Sequence, residues 1–333
     1  MRRHLFNTVS TALLAMAIAA ALGLPSPQIT MACVFIVMQP QARMVFHKGG
    51  YRMLGTIAGA LAAWGIASLF SQSPAALLAA VGVWVTLFTI IAAFYSRLPA
   101  YSIVLTGYTP VLIGIPMAFE AAHIGRGAAS RLAEVAIGVA CASAVALLNG
   151  GRADHNATPP APAPAPAPAP ARSRLTAGAT LAGLHPAIAM LCMASLWLLT
   201  SWRGGPMATL NATVDCALVA LAAQPVRMAV QMSAGTLLAV VAGVALQLLY
   251  PLLPISPYLL FAPALAVGAW MTGRPESLGK GLGYSITVCM LAYPASGAGG
   301  QYLHDAAGLT LSVFVLTAIC AILSPFRPRT ITV

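Results

Sequence analysis

Three ionisable side chains fall inside apolar runs of this sequence: Arg131 and Glu134, three residues apart, and Asp215, with no charged residue within a turn of it. Placing such a group near the centre of a bilayer costs roughly 2.5–3.5 kcal/mol on insertion scales, so each needs a partner or a use. Arg131 and Glu134 stand at i,i+3, the spacing that lets two side chains meet on one face of a helix. They read equally as a self-satisfied pair or as a functional one. Asp215 reads either as a protonated acid hydrogen-bonded to a neighbouring helix or as a proton-coupling group, a role Glu134 could share. Beside these stand interrupted apolar runs. One carries Gly107, Tyr108, Thr109, Pro110, Gly114 and Pro116, and a later one carries Tyr293, Pro294, Gly297 and Gly299. A break in a membrane helix frees backbone groups that must face a cavity or protein, and matched breaks in two halves of a chain point to a substrate site. Tyr108, Thr109, Pro110, Arg131, Tyr293 and Pro294 are therefore the candidate binding residues: aromatic rings to stack on a ring, and a guanidinium to take a carboxylate.

No other chemistry finds support. Gly273 to Lys280 imitates a phosphate-binding loop, but five residues separate Gly273 from Gly279 and Gly281 stands where Ser or Thr is required. His185 and His304 lie at the ends of apolar runs, and no Ser, His and acid set suggests catalysis. The six cysteines sit in or beside apolar runs without C-x-x-C or paired histidine spacing, so they read as small buried residues. Neither an enzyme nor a metal or cofactor site is expected.

The surroundings of these residues are those of a membrane protein. Apolar residues make up 59% and charged residues only 7%, where a soluble domain carries about a quarter charged. The net charge of +11 would otherwise point to nucleic acid, yet loop topology accounts for it better and no nucleic-acid partner is expected. Twelve apolar runs are expected to span as helices: 5–24, 27–38, 51–70, 75–95, 100–119 and 128–148, then 181–200, 206–223, 228–250, 258–271, 282–295 and 306–323. The runs around Trp84 and Tyr258 could each be one long helix or two short ones. The first run is about 20 residues long and leads straight into another, so it reads as a span rather than a cleaved signal.

Landmarks recur between the halves at offsets of about 180–185 residues. Gln39-Pro40 with Arg43-Met44 returns as Gln224-Pro225 with Arg227-Met228; Gly55-Thr56 returns as Gly235-Thr236; Tyr101-Ser102-Ile103 returns as Tyr284-Ser285-Ile286. This predicts a tandem duplication. Fourteen Arg and Lys residues, from Arg2 and Arg3 through Lys48, Arg52 and Arg97 to Arg329, gather on one side of the expected layout, against Arg126 and Arg203 on the other. The crowded side is then cytoplasmic, with both termini, and six spans per half make the repeats parallel. Residues 1–148 and 175–333 are the expected membrane repeats. Between them residues 149–174 form a linker whose Ala-Pro run from Pro159 to Ala171 favours extended polyproline II, reaching roughly 40 Å at ~3.1 Å per residue.

Taken with their order and spacing, Gln39-Pro40, Lys48-Gly49, Arg52-Met53-Leu54-Gly55-Thr56, Tyr101, Gly107-Tyr108-Thr109, Arg131-x-x-Glu134 and Gly138 resemble the fusaric acid resistance and aromatic acid exporter family. Trp197, Trp202-Arg203-Gly204-Gly205 and the Gln224-Pro225 turn extend the resemblance to the second half. It implies secondary efflux of small aromatic organic acids across a bacterial inner membrane, often with a periplasmic adaptor protein, and leaves room for a homo-oligomer. Members usually carry sizeable cytoplasmic domains after their membrane halves; here those places hold the Ala-Pro tether and the few residues after Leu323. A passive organic-anion channel or a non-transporting scaffold is the competing expectation. Energetics do not separate carrier from channel, since 100 mV gives an outgoing anion about 2.3 kcal/mol, a gradient of roughly fiftyfold.

Overall fold

A computed structural model describes residues 2–39, 41–95, 97–153, 172–252, 257–292 and 300–326. Among them the chain is all-helical, in twelve α-helices and a few short 3-10 turns: α1 (Arg2–Ala21), α2 (Gln28–Val37), α3 (Ala42–Phe70), α4 (Pro74–Ala92), α5 (Arg97–Gly114), α6 (Ile124–Ala153), α7 (Arg172–Thr200), α8 (Gly205–Ala220), α9 (Pro225–Leu249), α10 (Pro257–Thr272), α11 (Leu278–Leu291) and α12 (Gln301–Leu323). Each expected run falls on one of these helices, and the runs at Trp84 and Tyr258 are single ones. Uninterrupted apolar length separates the helices into two kinds. Six, α3, α4, α6, α7, α9 and α12, are long and apolar enough to cross a membrane, against the twelve spans expected from hydropathy. At 1.5 Å per residue the ten residues of α2 make about 15 Å, half a hydrocarbon core. Helix α6 runs on to Ala153 and α7 opens at Arg172, so the two ends of the segment expected as a linker are helical. The polyproline II expectation for 159–171 lies outside the described residues.

Helix α3 shows how the bundle closes. Its inward face is mostly small residues, Gly49, Gly55, Gly59, Ala60, Ala63 and Ala67 among them, whereas Leu54, Leu61 and Trp64 point outward and are well exposed. Lipid solvates large apolar side chains as well as protein does, so membrane helices associate through small residues that let backbones approach. A Cβ at Gly55 would come within 2.6 Å of the Ser102 carbonyl of α5, and one at Gly59 within 2.5 Å of the Thr109 Cβ. Helix α3 therefore lies flat on α5. Helix α9 lies on α11 in the same way, with Gly235 against the Lys280 carbonyl. The short α2, buried on all sides, is enclosed by α1, α6 and α11, and α8 by α7 and α12.

Inside α5, Pro110 removes the N–H that would have bonded the Thr106 carbonyl, the usual cost of an interior proline. The helix nevertheless continues to Gly114, so the break expected around Gly107 to Pro110 begins only after residue 114. The reason is Trp84 of α4, whose indole N–H donates to that orphaned carbonyl at 3.1 Å while its ring stacks on Phe88. Replacing Trp84 by Phe keeps the stack and strands the carbonyl. The expected cost is about 1–2 kcal/mol, read as a lower unfolding midpoint of the purified protein in detergent; an unchanged midpoint would show that the indole bond carries no stability.

Candidate functional site

Beginning α3 at Ala42 sets Arg52 more than two turns into the helix, on the face turned to α5 and α2. The side chain is 3% exposed, not one of the surface charges that its place in the sequence implied. Its Nη1 donates to the Tyr101 hydroxyl at 2.9 Å, and its Nε lies 3.1 Å from the Cys33 sulfur of α2. Tyr108, two turns further along α5, is buried against the same guanidinium. Sequence reasoning missed Arg52. The available signal was its heptad-scale distance from the Gln39-Pro40 stop, which pins the start of α3 upstream of it.

Arg131 approaches from α6 and is 9% exposed. It is close enough to Arg52 and Glu134 to feel their charge and lies near the Tyr108 phenol, yet among the described residues its guanidinium has no hydrogen bond and no ion pair within 4 Å. Of the two readings that the i,i+3 spacing left open, the direct Arg131–Glu134 ion pair is absent. Glu134, 1% exposed, instead accepts from the Ser26 backbone N–H at 3.0 Å, just before α2. Close approach makes this possible: one turn on, Gly138 of α6 rests on Cys33 and on the Thr30 carbonyl of α2. A carboxylate at the opening of a helix also sits well with the helix dipole.

Two guanidiniums thus stand near one another in the interior of the helical bundle, with the rings of Tyr101 and Tyr108 beside them, while the carboxylate on the same helix as Arg131 is taken up by the Ser26 N–H. Arginine stays protonated, and its planar fork of donors suits a carboxylate bidentately. A buried guanidinium left without an acceptor carries a large desolvation cost, which an anionic ligand would offset. The chemistry on offer is anion binding beside aromatic surface.

The remaining predicted residues are scattered. Thr109 is buried and turns its hydroxyl onto the Leu105 carbonyl of its own helix, and Pro110 is buried beside it, so both shape α5 rather than offer groups to a ligand. Tyr293 and Pro294 lie outside the described residues. Asp215 is 5% exposed, in the seam between α8 and α12. Asn211 donates to its carboxyl at 2.9 Å and to the Ser312 hydroxyl at 2.9 Å, so its partners belong to the second half and do not join it to the arginine pair. His185 lines a separate cavity of about 30 Å³ among α7, α8, α9 and α12, room for a water and not for an aromatic ring. No cluster of metal-ligating side chains occurs among the described residues.

The model of the fusaric acid resistance protein family matches residues 1–157 and again 147–332. Among curated proteins, the chain is 40% identical over 108 residues to the fusaric acid resistance protein FusC of Burkholderia cepacia, covering 31% of each. It is 31% identical over 142 residues to the uncharacterized transporter YdhK of Escherichia coli K12, covering 42% of this chain and 21% of that one. These alignments thus span about a third or less of the length of either relative. No solved structure gives a significant match. With both halves of its sequence matched by one model, the chain belongs to the fusaric acid resistance protein family.

Proposed function

We propose that this chain forms the membrane part of a secondary efflux transporter for small organic acids, aromatic ones foremost, in a bacterial inner membrane. The observation that carries the reading is Arg131: a guanidinium held among apolar helices beside Arg52 with no acceptor of its own. A small acid supplies the missing carboxylate, and its ring meets Tyr101 or Tyr108. The names of the two relatives, one a fusaric acid resistance protein and one a transporter, agree with this. Two parallel six-helix repeats would frame the path. That arrangement is supported by matching helix contacts, α3 on α5 and α6 in the first half against α9 on α11 and α12 in the second, and α4 on α5 against α10 on α11. In this arrangement both termini and the segment between the halves face the cytoplasm, and a periplasmic adaptor would receive the acid on the far side. Asp215 is the proton carrier in the scheme.

The test is flux of labelled fusaric acid in vesicles carrying the purified chain, with the voltage clamped to zero. Accumulation against a gradient on an imposed pH difference is expected. Dissipative flux alone would make it a channel, and no flux would leave a scaffold. Asp215→Asn keeps the size and the hydrogen bonds to its neighbours while removing titration, and is expected to abolish uphill accumulation while downhill exchange persists. Uphill accumulation by an Asp215→Asn protein of normal abundance would make Asp215 purely structural.

A further inference from the structure

The arginine pair is not the end of the cationic surface. One turn before Arg52, on the same face of α3, stands Lys48, half-buried, with its ammonium 5.9 Å from the centroid of the Tyr101 ring. This is the outer limit of a cation–π contact. Tyr101 is thereby shared: its ring faces Lys48, and its hydroxyl accepts from Arg52 at 2.9 Å. No carboxylate of the described residues pairs with Lys48, Arg52 or Arg131, since the one ion pair found among them joins His123 to Glu120 on an exposed turn. Three like charges in sequence, with a single phenol between the first and the second, are poorly explained as structural elements. Like charges one turn apart on a helix repel one another.

We infer that Lys48 is the capture residue of an anion path that begins at the N-terminal end of α3 and steps past Tyr101 to Arg52 and Arg131; the inference rests on the proposed organic-acid transport. A carboxylate meets the Lys48 ammonium first, as a partly solvated point charge on a flexible stem. Such a group binds loosely and releases readily. From there it passes along the edge of Tyr101 to the guanidiniums, whose forked donors hold it in a fixed orientation. The order of side chains, mobile ammonium outside and rigid guanidiniums inside, is the order in which an anion sheds its water. Tyr101 is a positioning residue: it keeps Arg52 turned inward and closes the gap between the two stations.

The experiment uses benzoate as probe and the full chain in vesicles of known orientation, filled and bathed at low ionic strength. Lys48→Gln is expected to raise the half-saturating benzoate concentration about three- to tenfold when benzoate is offered on the face where α3 begins, with the maximal rate within twofold of the parent. The difference should fade as salt shortens the reach of the ammonium, to about 3 Å at 1 M. Lys48→Arg should restore the parent value. An equal effect from both faces, a change in maximal rate alone, or a difference insensitive to salt would overturn the path. Binding of labelled benzoate to the purified protein separates this from the transport reading. If the parent binds but moves no benzoate, while Lys48→Gln slows association, capture stands and transport falls; if transport persists with association unchanged in Lys48→Gln, transport stands and capture falls.

Discussion

Substituting Arg131 by Gln is expected to cut apparent affinity for a transported acid about ten- to hundredfold while leaving the protein in the membrane at its normal level. The two halves of that expectation come from one observation. Hydrogen bonds to a charged group are worth roughly 1.5–3 kcal/mol, and a bound carboxylate would lose those made by the Arg131 fork. The folded chain loses none, because among the described residues no acceptor holds that guanidinium, and Glu134 keeps its bond from the Ser26 N–H. Arg52→Gln is the informative contrast. It takes the donor from the Tyr101 hydroxyl and a contact from Cys33, so abundance should fall along with transport. Flux normalised to the amount of inserted protein, measured for both variants, decides the matter. An Arg131→Gln protein that transports normally would remove the site from this cluster altogether.

The larger structural effect belongs to Gly235. A Cβ there would run into the Lys280 carbonyl oxygen of α11, a backbone atom that cannot swing aside, and Tyr284 N closes the other side. Gly235→Leu must push α9 from α11 along a seam that is among the most extensive in the bundle. Overpacking of this kind costs about 1–3 kcal/mol when side chains can adjust and more when only backbone can. We expect the variant to be lost from the membrane or to unfold well below the parent in detergent. Gly65→Leu is the control, since nothing lies within 4 Å of a Cβ at that position of α3. Equal stability of the two variants would mean that α9 and α11 do not approach as closely as described.

Particular residues show what the sequence could and could not reveal. Helical class and the order of the apolar runs are legible because hydropathy in lipid is a local property; each expected run overlaps a helix among the described residues, although only six of these helices are long and apolar enough to cross a membrane. Which helices are long was less so, because α2 and α8 are as apolar as the long ones and only neighbouring breaks limit them. Arg131, Glu134 and Asp215 stood out as charges inside apolar runs, and all three are buried. The partner of Glu134 did not stand out, being set by an approach across 108 residues, nor did the Ser312 that ties Asn211, the partner of Asp215 one turn away, to α12 across 101. Arg52 was hidden by its own neighbourhood: with Arg43, Lys48 and two glycines ahead of it, the stretch reads as a charged loop until α3 is seen to begin at Ala42. The proline-marked break at Pro110 misled for a complementary reason, as its repair comes from Trp84 on another helix.

The brevity of α2 bears on how the protein is made. A helix of ten residues is too short to be handed to the bilayer as a span on its own, and its closing partner α11 lies about 240 residues further along the chain. At roughly 5–20 residues per second the ribosome needs about 12–50 s to reach that partner. During that interval α2 has α1, then α3 and α6, to shelter it. The surroundings of α2 are therefore complete only once the second half of the chain has been made.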